Sequence, residues 1–161
     1  MSYIKNADAF FFFSWEYPNH QGIGCNVISS SDSSNFLLFL QELREDPVGS
    51  TLILSSAVGL TPYAGSDGTP MTDVSAFAEY LDWIGKLLAS FWGPFLIIAA
   101  AIMAYDVWGS WSTAVGPNAP LDDSCAPTQA GSAESAVNAW TAAKFPANKV
   151  CAFSSNSRQC F

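Results

Sequence analysis

Phe-Phe-Phe-Phe-Ser-Trp-Glu-Tyr-Pro at residues 10–18 is a short aromatic run that stops where a proline removes a backbone donor, the pattern of a buried strand. It leaves a carboxylate, Glu16, at the C-terminal end of that strand between two large rings, Trp15 and Tyr17. Outward from it, residues 19–34 form a loop rich in Gly, Asn and Ser. Asp32 or Ser33 can then cap a helix in which Phe36, Phe39, Leu40 and Leu43 recur at helical spacing, and Asp46-Pro47 ends it. Residues 51–58 read as a second buried strand, and a Gly/Pro/Asp loop follows to Thr72. Asp73 is expected to cap a second helix carrying Val74, Phe77, Leu81 and Ile84, with Glu79 and Asp82 on its other side. Residues 102–107 read as a third strand. Ser132 opens a third helix with Ala136, Val137, Trp140 and Ala143 inward, stopped at Phe145-Pro146, and residues 149–153 are a candidate fourth strand.

Strands alternating with amphipathic helices predict an α/β fold of βα units on a parallel sheet. Each strand is followed by a long polar loop, and in such folds the loops at the strand C-termini carry the site. Function is therefore expected just after Phe13, Val58 and Tyr105.

The 161 residues are 50% hydrophobic and 12% charged, enough apolar material for a real core and incompatible with a disordered chain. A net charge of −8 would repel a polyanion, so nucleic acid is excluded as a partner. The mean hydropathy of +0.20 is high for a soluble domain, and one segment supplies much of it. Residues 87–105 carry no charge, about the length needed to cross a bilayer. A membrane partner is expected only if that stretch spans one.

The start of the chain lacks the basic n-region and long apolar run of a signal peptide, since Asp8 and Glu16 interrupt it. The four cysteines have none of the paired spacings of zinc sites, and one His stands with them, so no metal is expected. Cys25 and Cys125 each lie in a loop. They suit a loop-to-loop disulfide in an oxidising compartment, or are two unrelated thiols.

Two clusters carry chemistry. In Trp15-Glu16-Tyr17, aromatic neighbours desolvate a carboxyl and suit it to general-acid work, while the rings can stack on the apolar faces of a sugar. Met103-Ala104-Tyr105-Asp106, again at a predicted strand end and followed by Trp108 and Trp111, offers a phenol donor and a carboxylate that can hold a carbonyl. The plainer alternatives are a Glu that merely faces water and a core tyrosine with a capping Asp.

Taken with Trp-Glu-Tyr-Pro-Asn at 15–19, the stretches Gly-Ile-Gly-Cys-Asn at 22–26, Asn-Phe-Leu-Leu-Phe-Leu-Gln-Glu-Leu-Arg at 35–44 and Leu-Ile-Leu-Ser at 52–55 carry a family resemblance. Met-Ala-Tyr-Asp-Val-Trp-Gly-Ser-Trp at 103–111 and Gly-Pro-Asn-Ala-Pro-Leu at 116–121 extend it. In order and spacing the chain resembles a fungal chitinase of glycoside hydrolase family 18, from about that family's fourth strand to its seventh. The resemblance implies an incomplete (β/α)8 TIM barrel acting on chitin, β-1,4-linked N-acetylglucosamine, with retention and with the substrate's acetamide as nucleophile. It implies Glu16 as the acid, Tyr105 as the hydrogen bond to that acetamide, and Trp15, Tyr17, Met103, Asp106 and Trp108 as sugar contacts. No cofactor is implied. It further implies an extracellular protein.

Three departures bear on function. The family's fourth strand carries acids in the series D-x-x-D-x-D-x-E, and only Glu16 remains; Ser14, Phe12 and Ala9 stand at the earlier positions. Residues 85–101 look like an insert between helix and strand, either a membrane-spanning helix or a retained intron, since Gly85-Lys86 can be encoded by a sequence containing a common fungal splice donor. The chain also leaves the family pattern abruptly after Lys149-Val150. A chitin binder without turnover and a small membrane protein are the two alternatives these departures raise.

Overall fold

A computed structural model describes residues 10–21, 27–84, 86–92, 95–154 and 157–160. The first strand, β1 (Phe10–Phe13), is shorter than the aromatic run, which leaves the sheet at Ser14. Helix α1 (Asp32–Glu45) follows, with Phe36 and Leu40 buried as their spacing requires. Ser31 is its N-cap. Asp32 instead reaches back, its Oδ2 accepting from the backbone N–H of Ser29 at 3.0 Å and of Asn19 at 3.1 Å, which ties the loop after β1 to the helix start. The next strand, β2 (Ile53–Ser56), pairs parallel with β1 from Phe10–Ile53 to Phe13–Ser56.

Helix α2 (Ser75–Tyr80) corrects the sequence reading at both ends. Val74 is its N-cap, with Asp73 Oδ1 accepting from Ser75 N–H at 3.0 Å. Leu81 turns extended and the helix stops, so Trp83 and Ile84 form a short strand, β3 (Trp83–Ile84), parallel to β2. The cause is Asp82, read from sequence as a solvent-facing helix position. Its Oδ2 accepts from Leu54 N–H and from Arg44 Nη2, both at 2.8 Å, and pins the chain to the sheet.

Strands β4 (Lys86–Trp92) and β5 (Phe95–Met103) pair antiparallel from Lys86–Ala101 to Trp92–Phe95. The segment considered as a membrane-spanning helix is therefore a β-hairpin, and no described helix is long and apolar enough to cross a membrane. Strand β5 begins earlier than the expected third strand and ends at Met103, where Ala104 N–H turns back to Ile102 O.

Helix α3 (Ala133–Ala142) opens as expected at Ser132, in a capping box with Ser135, and buries Ala136, Val137 and Trp140. Strand β6 (Cys151–Ser154) pairs parallel with β5 through Ile102–Ala152 and Met103–Phe153, and β7 (Ser157–Cys160) returns antiparallel to it. That return departs from an all-parallel sheet. It falls within the stretch that leaves the family pattern.

The two sheets are ordered β1-β2-β3 and β4-β5-β6-β7. A bridge between Ile84 and Val150 and a bond from Met103 N–H to Val58 O at 3.0 Å join them. The result is a parallel surface running from β1 through β2 to β3 with the end of β5, and then to β6, with the helices against it. Leu54, Val58, Ile84, Ile102 and Val150 of the sheet and its ends bury against Leu40, Phe77, Leu81 and Trp140. Each such side chain contributes about 1.5–3 kcal/mol on burial. This arrangement is consistent with part of a TIM barrel.

Candidate functional site

A cavity of about 570 Å³ opens at the C-terminal ends of the parallel strands, where the fold class places function. The strand made by the end of β5 supplies one wall. Met103 is buried there, Tyr105 lies at the surface, and both line the cavity with Asp106. Asp106 has a backbone φ of +56°, outside the range most L residues adopt and tolerated by Asp. Two bonds hold it: Asn118 Nδ2 donates to Asp106 Oδ1 at 2.9 Å, and the neighbouring Val107 N–H donates to Asn118 O at 3.0 Å.

Tyr17 enters from the loop after β1. A Cβ added to Gly59 would lie 3.2 Å from Tyr17 Cζ and 3.3 Å from its hydroxyl, so the glycine lets the phenol rest on the backbone that follows β2. Burial, then the charge of Glu16, then Tyr105 push the Tyr17 phenol up to about 12, so it remains a donor through ordinary pH. Asn19 steadies this loop, its Nδ2 donating to Gly65 O at 2.6 Å, and His20 N–H donates to Tyr17 O at 3.1 Å to close a turn.

Glu16 is exposed and is not among the cavity's lining residues. Ser14 Oγ donates to Glu16 Oε1 at 2.9 Å. Trp15 turns to the other side, edge-on to Phe36 at a ring separation of 6.0 Å, along an open groove of about 420 Å³ that Phe13 and Phe39 also line. Trp108 sits in a third place, a cavity of about 280 Å³ with Val115, Pro117 and Cys125. Gly116 packs on its indole, where a Cβ would come within 2.4 Å. The structure thus brings Tyr17, Met103, Tyr105 and Asp106 together and keeps Glu16, Trp15 and Trp108 out of that group. Cys125 is an exposed free thiol, so the disulfide reading is not realised for it, and Cys25 lies outside the described residues.

Residues that the sequence placed elsewhere also line the cavity. Trp140, read only as a core position of α3, reaches it and donates from Nε1 to Gly59 O at 3.1 Å. Tyr63 packs against Phe77 and Trp140, at ring separations of 4.6 and 5.1 Å, with its hydroxyl buried and lacking a hydrogen-bond partner among the described residues. His20 and Asn19 complete the rim. Helical periodicity reports which face is inward, not whether a cavity lies beyond it, so no signal in α3 marks Trp140.

Among the described residues no group of three or more His, Cys, Asp and Glu is arranged to hold a metal ion. Three tyrosines line the cavity, Tyr17, Tyr105 and Tyr63 with its buried hydroxyl, together with the Asp106 carboxylate as an acceptor and Val58, Met103 and Trp140 as apolar lining.

No family model matches the chain. It is 46% identical over 138 residues to a chitinase-like effector of Moniliophthora perniciosa, an alignment covering 84% of this chain and 28% of the relative. A crystal structure of a chitinase from Rhizomucor miehei superposes with a TM-score of 0.70 at 33% identity, covering 88% of this chain and 35% of that one. A glycoside hydrolase family 18 chitinase from Cycas revoluta, solved with (GlcNAc)3, shares the fold with a TM-score of 0.56 at 24% identity. The chain thus spans about a third of the length of these three proteins.

Proposed function

Because the chain belongs to the glycoside hydrolase family 18 chitinases, we propose that it binds N-acetylglucosamine oligomers in the cavity beside Tyr105 and that its hydrolysis is impaired. The observation that carries this reading is the separation of a well-furnished cavity from a poorly supported acid. Tyr17, Tyr105 and Asp106 offer hydrogen bonds to sugar hydroxyls and an acetamide, and Met103 and Trp140 offer an apolar face. Glu16 lies outside, with the hydroxyl of Ser14 where the family carries a carboxylate. A serine hydroxyl does not titrate in water and cannot share a proton with the acid. A positioned acid–base partner contributes about 10²- to 10⁴-fold in rate, and that is the loss expected here.

The second reading is the family's retaining hydrolysis, with Glu16 protonating the glycosidic oxygen and Tyr105 holding the attacking acetamide. Its support is the adjacency of Glu16 to Tyr17, close enough for the Glu16 charge to act on the phenol. Trp15 and Trp108 then contact sugar only in a chain long enough to reach their separate grooves. Secretion is part of the same proposal and rests on the resemblance.

We propose also that the parallel strands correspond to about the fourth to seventh of the barrel and that residues 85–101 are an insert within one of them. Ile84 and Ile102 support this: they face Val150 and Ala152, alternate positions of one neighbour. Titration calorimetry with tetra-N-acetylchitotetraose, with released sugar assayed in the same samples, tests the functional reading. Binding without release, unchanged in Glu16→Gln, is the expected result. Release abolished by that substitution favours hydrolysis, and no binding at all sinks both.

A further inference from the structure

We propose that Asn118 is a positioning residue that aims Asp106 into the cavity, an inference that rests on the sugar-binding reading of that cavity. Asp106 lies three residues beyond the end of β5 at Met103, at a φ of +56° that costs free energy unless its surroundings hold it. The hold comes from one residue acting twice. Asn118 accepts from Val107 N–H through its backbone carbonyl at 3.0 Å, fixing the turn, and donates from Nδ2 to Asp106 Oδ1 at 2.9 Å, fixing the side chain.

The consequence is chemical. With Oδ1 taken by Asn118, Oδ2 is left without a partner among the described residues, on a side chain that lines the cavity. A carboxylate accepts and does not donate. The group Asp106 recognises is therefore a donor, a sugar hydroxyl or an acetamide N–H, and Asn118 fixes the side-chain orientation in which Oδ2 is presented to it. Asn118 itself is not a lining residue of the cavity, so its effect on a ligand passes through Asp106.

The test is a double-mutant cycle in the full chain, with tetra-N-acetylchitotetraose binding measured for wild type, Asn118→Ala, Asp106→Ala and the pair. Asn118→Ala should weaken binding about tenfold, the size of a lost bond to a charged group. In the Asp106→Ala background the same substitution should cost nothing further. An equal loss in both backgrounds, or no loss in either, overturns the proposal. The side-chain amide resonance of Asn118 supplies a reading independent of sugar. It should shift when Asp106 becomes Ala, and an unmoved resonance overturns the clamp. If wild type takes up no tetraose while that resonance moves, the sugar-binding reading has failed and the Asn118 to Asp106 contact stands.

Discussion

Ile84 and Ile102 lie two register positions apart on one strand surface, opposite Val150 and Ala152, although residues 85–101 separate them in the chain. Alternate positions in a strand are about 6.6 Å apart, a gap one residue spans. The hairpin of β4 and β5 thus leaves the strand and returns to it without shifting the register of Met103 and the residues beyond.

Removal of residues 86–101, with Gly85 kept as the single link, is therefore predicted to preserve the fold. The Met103 amide, which donates to Val58 O, should stay protected in hydrogen exchange, and the melting temperature should equal or exceed that of the full chain. A deletion variant with an unprotected Met103 amide would show that the hairpin is needed to hold the strand together.

Gly59→Ala is predicted to weaken sugar binding a few-fold while leaving thermal stability nearly unchanged. The new methyl would meet the Tyr17 ring at 3.2 Å and push it outward by a few tenths of an ångström. Calorimetry alongside a melting curve separates the two effects, and Gly59→Val should amplify the first.

Alkaline titration should find Tyr17 late. From the ordinary 10.0 to about 12, the unfolded chain gives up this proton while the folded chain keeps it, so stability is intact below that window and falls as pH rises through it. Burial pushes Tyr63 upward as well and reinforces the trend. Phenolate absorbance should show a late component that Tyr17→Phe reduces, and an unchanged titration in that variant would contradict the assignment.

Arg44 is predicted to be worth about 2 kcal/mol or more, the scale of bonds involving a charged group. Its guanidinium donates to Tyr80 O at 2.9 and 2.6 Å, to Leu52 O at 2.7 Å and to Asp82 at 2.8 Å, closing the end of α2 onto β2. Denaturant unfolding of Arg44→Ala measures it, and a loss below about 0.5 kcal/mol would mark this as an ordinary surface pair.

Helices α1 and α3 were legible because their apolar spacing and end signals agree, down to the Ser132 cap. β1 and β2 were legible as short apolar runs. β3 was not, because Leu81 and Ile84 continue a helical spacing and only the long-range bonds of Asp82 decide for a strand. The hairpin was not legible for a similar reason: an uncharged run has no period, and length alone raised a spanning helix as one of two alternatives. At the cavity, Met103, Tyr105, Asp106 and Tyr17 meet, whereas Glu16, expected at the same mouth, is not among the lining residues. Which way Trp15 and Trp108 turn, and that Trp140 closes the floor, depends on packing between distant segments, which local sequence does not encode.

Isothermal titration of the full chain with tetra-N-acetylchitotetraose, followed by chromatography of the same sample for shorter sugars, tests the central claim most directly. Saturable binding, weakened by Asp106→Ala and unaffected by Glu16→Gln, with the tetraose recovered intact, is the predicted result. Shorter sugars that disappear with Glu16→Gln would contradict it, and so would the absence of any heat of binding.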